Sequence, residues 1–172
     1  MNQFCRLQLR TNNVSSARAF YDEILGDQTL DIIELPAVAV ARGAPAHWLG
    51  YVGVEDLEQR VEAFISRGAT RVGAMQYTGD KGRAVVLRDP AGVIVGLATP
   101  PVKQARTRPV WHELYAVNAE KVASHYCEVF GWELKERMPP GSAVHQRFAW
   151  RKDASSAGSI ADIAGSASVH PH

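Results

Sequence analysis

This sequence contains few cysteines, no long apolar run and almost no net charge. Only two cysteines, Cys5 and Cys127, occur among 172 residues, which excludes a disulfide framework, and no CxxC motif or Cys/His cluster suggests a zinc site. The formal net charge is +1, so no global field would attract nucleic acid or an anionic membrane. We therefore expect neither partner.

Apolar residues make up 46% of the chain and charged residues 22%, a composition typical of globular proteins. No run approaches the roughly 18 apolar residues of a membrane span. The N-terminus is polar within three residues, unlike a secretory signal. These features predict a cytoplasmic protein, and a chain of this length can bury a core without disulfides.

Three segments repeat one pattern, in which a strand precedes an amphipathic helix and short β-type runs. The predicted strands are 5–11, 47–54 and 111–117. The helices end at the glycines Gly26, Gly68 and Gly131. The runs TLDIIEL and AVAVA follow the first helix. The pattern predicts an α+β fold whose helices cover one face of a sheet.

A stretch rich in proline and basic residues, 101–109, has the composition of a linker. It divides the chain into residues 1–100, which contain two repeats, and residues 110–172, which contain the third.

Four motifs resemble the vicinal oxygen chelate superfamily of glyoxalase, bleomycin-resistance and extradiol-dioxygenase proteins, in its tandem branch related to lactoylglutathione lyase. They are LRTNNVSSARAFYDEILG, AHWLGYVGVEDLEQRVEAFISRGA, VVLRDPAGVIVGLATP and HELYAVNAEKVASHYCEVFGWEL. The resemblance implies paired βαβββ modules that form a cup-shaped mixed sheet, with helices outside and the ligand inside. It implies that residues 1–100 form a complete domain and residues 110–172 half of a second one. Either the sequence is truncated or a second chain completes that cup, and we expect a homodimer.

Metal-dependent members of the superfamily hold one divalent ion in the cup through His, Gln or Glu on the first and last strands of each module. The resemblance maps these positions onto Arg6, Leu49, Gly96 and Trp111. None of these side chains offers an electron pair to a cation at neutral pH. We therefore expect no divalent metal and no other cofactor.

Side chains alternate between the two faces of a strand. If Leu7 and Leu9 pack under a helix, the polar residues between them face the cup, and the same alternation applies to the other two first strands. The cup-facing residues form the candidate ligand-binding set: Arg6, Gln8, Arg10, His47, Tyr51, Trp111, Glu113 and Tyr115. An ordinary solvent-facing sheet has the same alternation, and no catalytic residue is assigned.

Three functions stay open. The favoured one is metal-free binding of a small molecule in the cup, as in bleomycin-resistance proteins. The second is a metal-dependent lyase, isomerase or dioxygenase with atypical ligands; without a metal, only acid–base chemistry by His47 or Glu113 would remain. The third is an inactive fragment of a tandem protein.

Overall fold

The computed structural model describes residues 2–26, 30–77, 82–99, 111–137 and 144–164. Its strands form two sheets joined by a shared core. The predicted linker lies outside the described residues.

The first sheet contains β1 (Phe4–Thr11), β2 (Asp31–Glu34), β3 (His47–Gly53), β4 (Thr70–Arg71), β5 (Gln76–Tyr77), β6 (Arg83–Arg88) and β7 (Ile94–Ala98). The second contains β8 (His112–Ala116), β9 (Glu133–Arg137), β10 (Val144–Ala149) and β11 (Gly158–Asp162). The helices are α1 (Val14–Leu25), α2 (Ala37–Ala41), α3 (Leu57–Ile65) and α4 (Ala119–Phe130).

The two sheets contain the same structural module. In the first, the strand order is β2-β1-β3-β7-β6-β4, with β5 also paired to β6, and in the second it is β8-β11-β10-β9. In each module the strand before the helix pairs parallel with the last strand, β3 with β7 and β8 with β11. The predicted α+β fold and its repeated module are therefore confirmed.

The first repeat is shorter than the other two. Its strand β1 pairs parallel with β2, but the prediction of a strand at AVAVA is wrong, because residues Ala37–Ala41 form helix α2. Alanine has the highest helix propensity, and Pro36 stands at the N-cap, where its missing N–H costs nothing. The described part of this repeat is thus strand, helix, strand.

The core lies between the two sheets, where α3 packs on α4. Phe64 of α3 is fully buried and its ring centroid lies 5.3 Å from that of Phe130 of α4. Trp132 stacks on Phe148 of the second sheet with centroids 4.7 Å apart. Burying such side chains contributes about 1.5–3 kcal/mol each, so the helix sides of the two sheets are held together.

Helix α1 departs from its amphipathic prediction. None of its residues is buried, and Phe20 and Ile24 are 56% and 61% exposed. The reason is that α4 covers α3, while no described element covers α1 in the same way. No helix in the described part of the chain is long and apolar enough to cross a membrane.

Candidate functional site

The predicted polar face of β1 and β3 is present in the structure. The two strands are antiparallel, and their register places Arg6 opposite Tyr51, Gln8 opposite Leu49 and Arg10 opposite His47. Residues directly opposite each other share a face of the sheet. We call this face, which carries Arg6, Gln8, Arg10 and Tyr51, the cup face, and the opposite one the helix face.

Three of these side chains form a closed hydrogen-bond network. The Tyr51 hydroxyl donates to Gln8 Oε1 at 3.0 Å and accepts from Arg10 Nη2 at 2.9 Å. Arg10 Nε also donates to Gln8 Oε1, at 3.0 Å. Tyr51 and Gln8 are 1% and 2% exposed. The buried side chains of Tyr51 and Gln8 therefore fix the position of the Arg10 guanidinium.

Arg6 extends this polar cluster toward β2. Its Nε donates to Asp31 Oδ2 at 2.6 Å, and its guanidinium carbon lies 4.8 Å from the centroid of the Tyr51 ring. Gln8 Nε2 donates to the same carboxylate oxygen at 3.1 Å. Arg6 Nη1 is buried and has no hydrogen-bond partner among the described residues. A buried guanidinium N–H of this kind is an unused donor at the cluster.

Asp31 was not among the predicted residues. It reaches the cluster because β2 lies parallel beside β1, with Asp31 in register with Gln8. A lone acidic residue at the start of a short strand carries no sequence signal of that pairing. Only the arginines on β1, which require a counter-charge when partly buried, point to such a partner.

The cluster does not suit a metal ion. Gln8 Oε1 and Asp31 Oδ2 already accept hydrogen bonds from guanidinium groups, and those cations would repel a divalent ion at close range. Leu49 and Gly96 add no donor atom. Among the described residues, no group of three or more His, Cys, Asp or Glu side chains could hold a metal.

Gly96 stands at one of the positions to which the resemblance maps a metal ligand. The space beside it is filled by the ring of Tyr51. Gly96 pairs with Tyr51 across β3 and β7. A Cβ atom added to Gly96 would lie 2.6 Å from both Cε1 and Cγ of Tyr51, closer than such carbon atoms pack. Glycine at this position therefore makes room for the tyrosine that anchors the arginine network.

The other predicted residues lie at the start of β3, where His47 is in register with Arg10, and on or next to β8. His47 Nδ1 lies 2.8 Å from the carbonyl oxygen of Pro45. On β8, the Tyr115 hydroxyl donates to Glu113 Oε2 at 2.6 Å, and this bond is the main cause of a raised Tyr115 pKa. Trp111 lies under the Arg147 guanidinium, 5.9 Å from ring centroid to Cζ. The structure thus divides the predicted set between two sheets.

A cavity of about 850 Å³ has His47, Trp111 and Glu113 among its lining residues, although register assigns His47 to the face of Arg10 and Glu113 to the face of Arg147. Most of its wall comes from the helix faces of the two sheets, so it lies on the opposite side of the first sheet from the arginine cluster. The wall residues that sequence reasoning assigned to packing or did not single out include Phe4, Trp48, His112, Trp132 and Phe148. The sequence shows that most of these residues are aromatic, but it does not predict the gap between the two sheets that they line.

The alternation along β8 places His112 on the helix face, the same face as Phe148. The His112 ring stacks on Phe4 of the first sheet with centroids 4.5 Å apart. It is only partly buried, and it lines the cavity. Burial lowers its pKa, which favours the neutral imidazole at neutral pH.

Comparison with solved structures identifies the architecture. A variant of homoprotocatechuate 2,3-dioxygenase from Brevibacterium fuscum superposes with a TM-score of 0.65 at 13% identity, covering 94% of this chain and 53% of that one. The 2,3-dioxygenase LapB from a Pseudomonas species superposes with a TM-score of 0.62 at 16% identity, covering 93% of this chain and 69% of that one. This is the vicinal oxygen chelate fold.

The chain spans about half the length of the homoprotocatechuate dioxygenase, and at these identities the likeness concerns the fold alone. No protein-family model and no curated protein matches the sequence. In the vicinal oxygen chelate fold seen here, the pairing of β1 with β3 builds the arginine cluster.

Proposed function

We propose that this protein binds a small organic anion on the cup face of its first sheet, without a metal ion. The observation that carries the proposal is an unbalanced charge. The Arg6 guanidinium pairs with the Asp31 carboxylate, whereas the Arg10 guanidinium donates to the neutral groups of Gln8 and Tyr51. The buried Nη1 of Arg6 has no hydrogen-bond partner among the described residues.

An anion beside Arg6 would accept a charge-assisted hydrogen bond from the unused donor, a class of bond about twice as strong as a neutral one. Tyr51 and Gln8 are positioning residues, because they hold the Arg10 guanidinium from beneath. The Arg6 and Asp31 side chains keep 12% and 16% of their surface exposed. A ligand would enter beside this ion pair, since Tyr51 itself is closed to solvent.

The alternative is a metal-dependent lyase, isomerase or dioxygenase. Ring cleavage by a 2,3-dioxygenase is the activity named for the similar structures. We place it second because the donors at the cup face do not fit a cation. A glyoxalase or bleomycin-resistance type of role, and a cytoplasmic location, stay part of the favoured proposal.

Calorimetry with benzoate, and with uncharged benzamide as its neutral analogue, tests the anion site. We expect benzoate to bind and benzamide to bind at least tenfold more weakly, before and after treatment with EDTA. Arg6→Gln should abolish benzoate binding, whereas Arg71→Gln, at an exposed position of β4, should not change it. Stoichiometric metal in the purified protein, together with anion binding that EDTA abolishes, would overturn the proposal.

We also propose that a second copy of the chain completes the second sheet. Strand β8 has a neighbour, β11, on one side only among the described strands, whereas the equivalent β3 pairs with β1 as well as with β7. An unpaired edge strand favours association, and two such edges can pair about a two-fold axis. Light scattering at micromolar concentration should give a dimer, and a monomer would refute this assembly.

A further inference from the structure

The cavity between the two sheets is large for a protein interior. Its volume is about 850 Å³, whereas voids between well-packed elements rarely exceed the size of a water molecule. Pockets for small organic ligands measure about 300–1,000 Å³. The volume of this cavity therefore lies within the range of ligand pockets.

Its walls are tied together by ring contacts that cross from one sheet to the other. Phe4 of the first sheet stacks on His112 of the second and lies 6.1 Å from the Trp132 ring, centroid to centroid. Trp132 in turn stacks on Phe148. Both sides of the cavity are thus held in fixed relative positions, which reduces the ordering cost of binding.

Two further aromatic residues lining the cavity keep much of their surface open. Trp48 is 39% exposed and Trp111 is 41% exposed. Trp48 lies on β3, where its indole N–H donates to the Tyr21 hydroxyl at 3.2 Å. Tryptophan rings left open beside a cavity offer flat apolar surface to a ligand.

Among the described residues that line the cavity, polar side chains are few. The register of β8 places His112 on the same face as Phe148 and places Glu113, which accepts from Tyr115, on the opposite face. Within the described residues, the ring of His112 has stacking contacts but no hydrogen-bond partner. It is therefore free to bond a ligand, either as donor or as acceptor.

From these observations we infer that the cavity is a second ligand site, separate from the cup face, for a flat, uncharged aromatic molecule. The aromatic walls pack against the ring of the ligand, and His112 bonds one polar group on it. The apolar walls disfavour a charged substituent of either sign, because a charge buried without a partner loses its hydration. The arginine cluster favours anions, so the two sites select ligands of different charge.

Three naphthalene derivatives of equal ring size test the inference by calorimetry on the full chain at pH 7.5. They are the neutral 2-naphthol, the cationic 2-naphthylmethylammonium and the anionic 2-naphthoate. The protein carries Arg6→Gln, which removes the anion site. We expect 2-naphthol to bind, and both charged probes to bind at least tenfold more weakly.

Substitutions in the wall locate the binding. Leu114→Trp fills the cavity and should weaken 2-naphthol at least tenfold. His112→Phe keeps the stacking on Phe4 but removes the hydrogen bond, which corresponds to about fivefold weaker binding. Glu113→Gln, on the opposite face of β8, and Glu62→Gln, at an exposed position of α3, should leave the affinity for 2-naphthol unchanged.

The inference fails if 2-naphthol does not bind, or if either charged probe binds as tightly as 2-naphthol. It also fails if a folded Leu114→Trp variant, checked by circular dichroism, binds 2-naphthol as the parent does. If that variant does not fold, His112→Phe decides, because unchanged affinity for 2-naphthol would exclude the assigned contact. Benzoate binding to the native protein tests the arginine cluster separately, so failure of one site does not imply failure of the other.

Discussion

Replacing Gly96 by alanine should destabilise the protein because the Tyr51 ring occupies the space that a side chain would need. The added Cβ would lie 2.6 Å from two ring carbons. Tyr51 cannot move aside easily, since it is 1% exposed and hydrogen-bonded to Gln8 and Arg10. Overpacking of this kind costs about 1–3 kcal/mol.

Part of that cost is offset, because glycine in a strand is itself destabilising by about 0.5–1 kcal/mol relative to alanine. We expect a net loss of about 1–2 kcal/mol. Gly73→Ala is the matched control, since a Cβ there meets no atom within 4 Å. Urea unfolding followed by tryptophan fluorescence gives both values.

A double-mutant cycle isolates the clash. In a Tyr51→Ala background the ring is gone, so Gly96→Ala should become neutral or slightly stabilising, and the coupling free energy should be about 2 kcal/mol. Equal effects of Gly96→Ala in both backgrounds would refute the reasoning. So would a Gly96→Ala variant as stable as Gly73→Ala.

Three further predictions concern buried groups elsewhere. Asp89 Oδ1 accepts from the N–H groups of Ala91 and Val93, both at 2.9 Å. Asp89→Ala should therefore reduce the free energy of unfolding in urea by about 2–4 kcal/mol. A loss no larger than that of Asp89→Asn, which keeps an acceptor, would contradict this prediction. Burial lowers the pKa of His112 and of His125 below 6.5, so their neutral forms favour the folded state. The free energy of unfolding should therefore be highest above pH 6.5 and should fall as the pH is lowered toward 5. This fall should be less steep in the His125→Phe variant. Burial raises the pKa of Cys127 to about 11, so iodoacetamide should label it far more slowly at pH 7.5 than a free thiol; fast labelling of the folded protein, read by mass spectrometry, would refute that.

Sequence patterns could predict those features of the fold that depend only on residues within one strand or one helix. Alternation along β1 correctly placed Arg6, Gln8 and Arg10 on one face, because the period of a strand is a local property of the backbone. Asn118 accepts from the Lys121 N–H at 3.0 Å, as its place before a helix suggests. The error at AVAVA has the same origin, since a short apolar run fits a strand or a helix equally well by periodicity.

The sequence by itself determined the repeated strand–helix module, the α+β fold and the absence of metal donors at the positions implied by the resemblance. Tertiary structure alone decided that Asp31 joins the arginines, that Tyr51 fills the space above Gly96, and that a cavity opens between the sheets. The physical reason is that periodicity and residue chemistry act over a few neighbouring residues. Pairing of β1 with β2, and packing of one sheet on the other, bring together residues far apart in the chain, and no local pattern encodes the gap they leave.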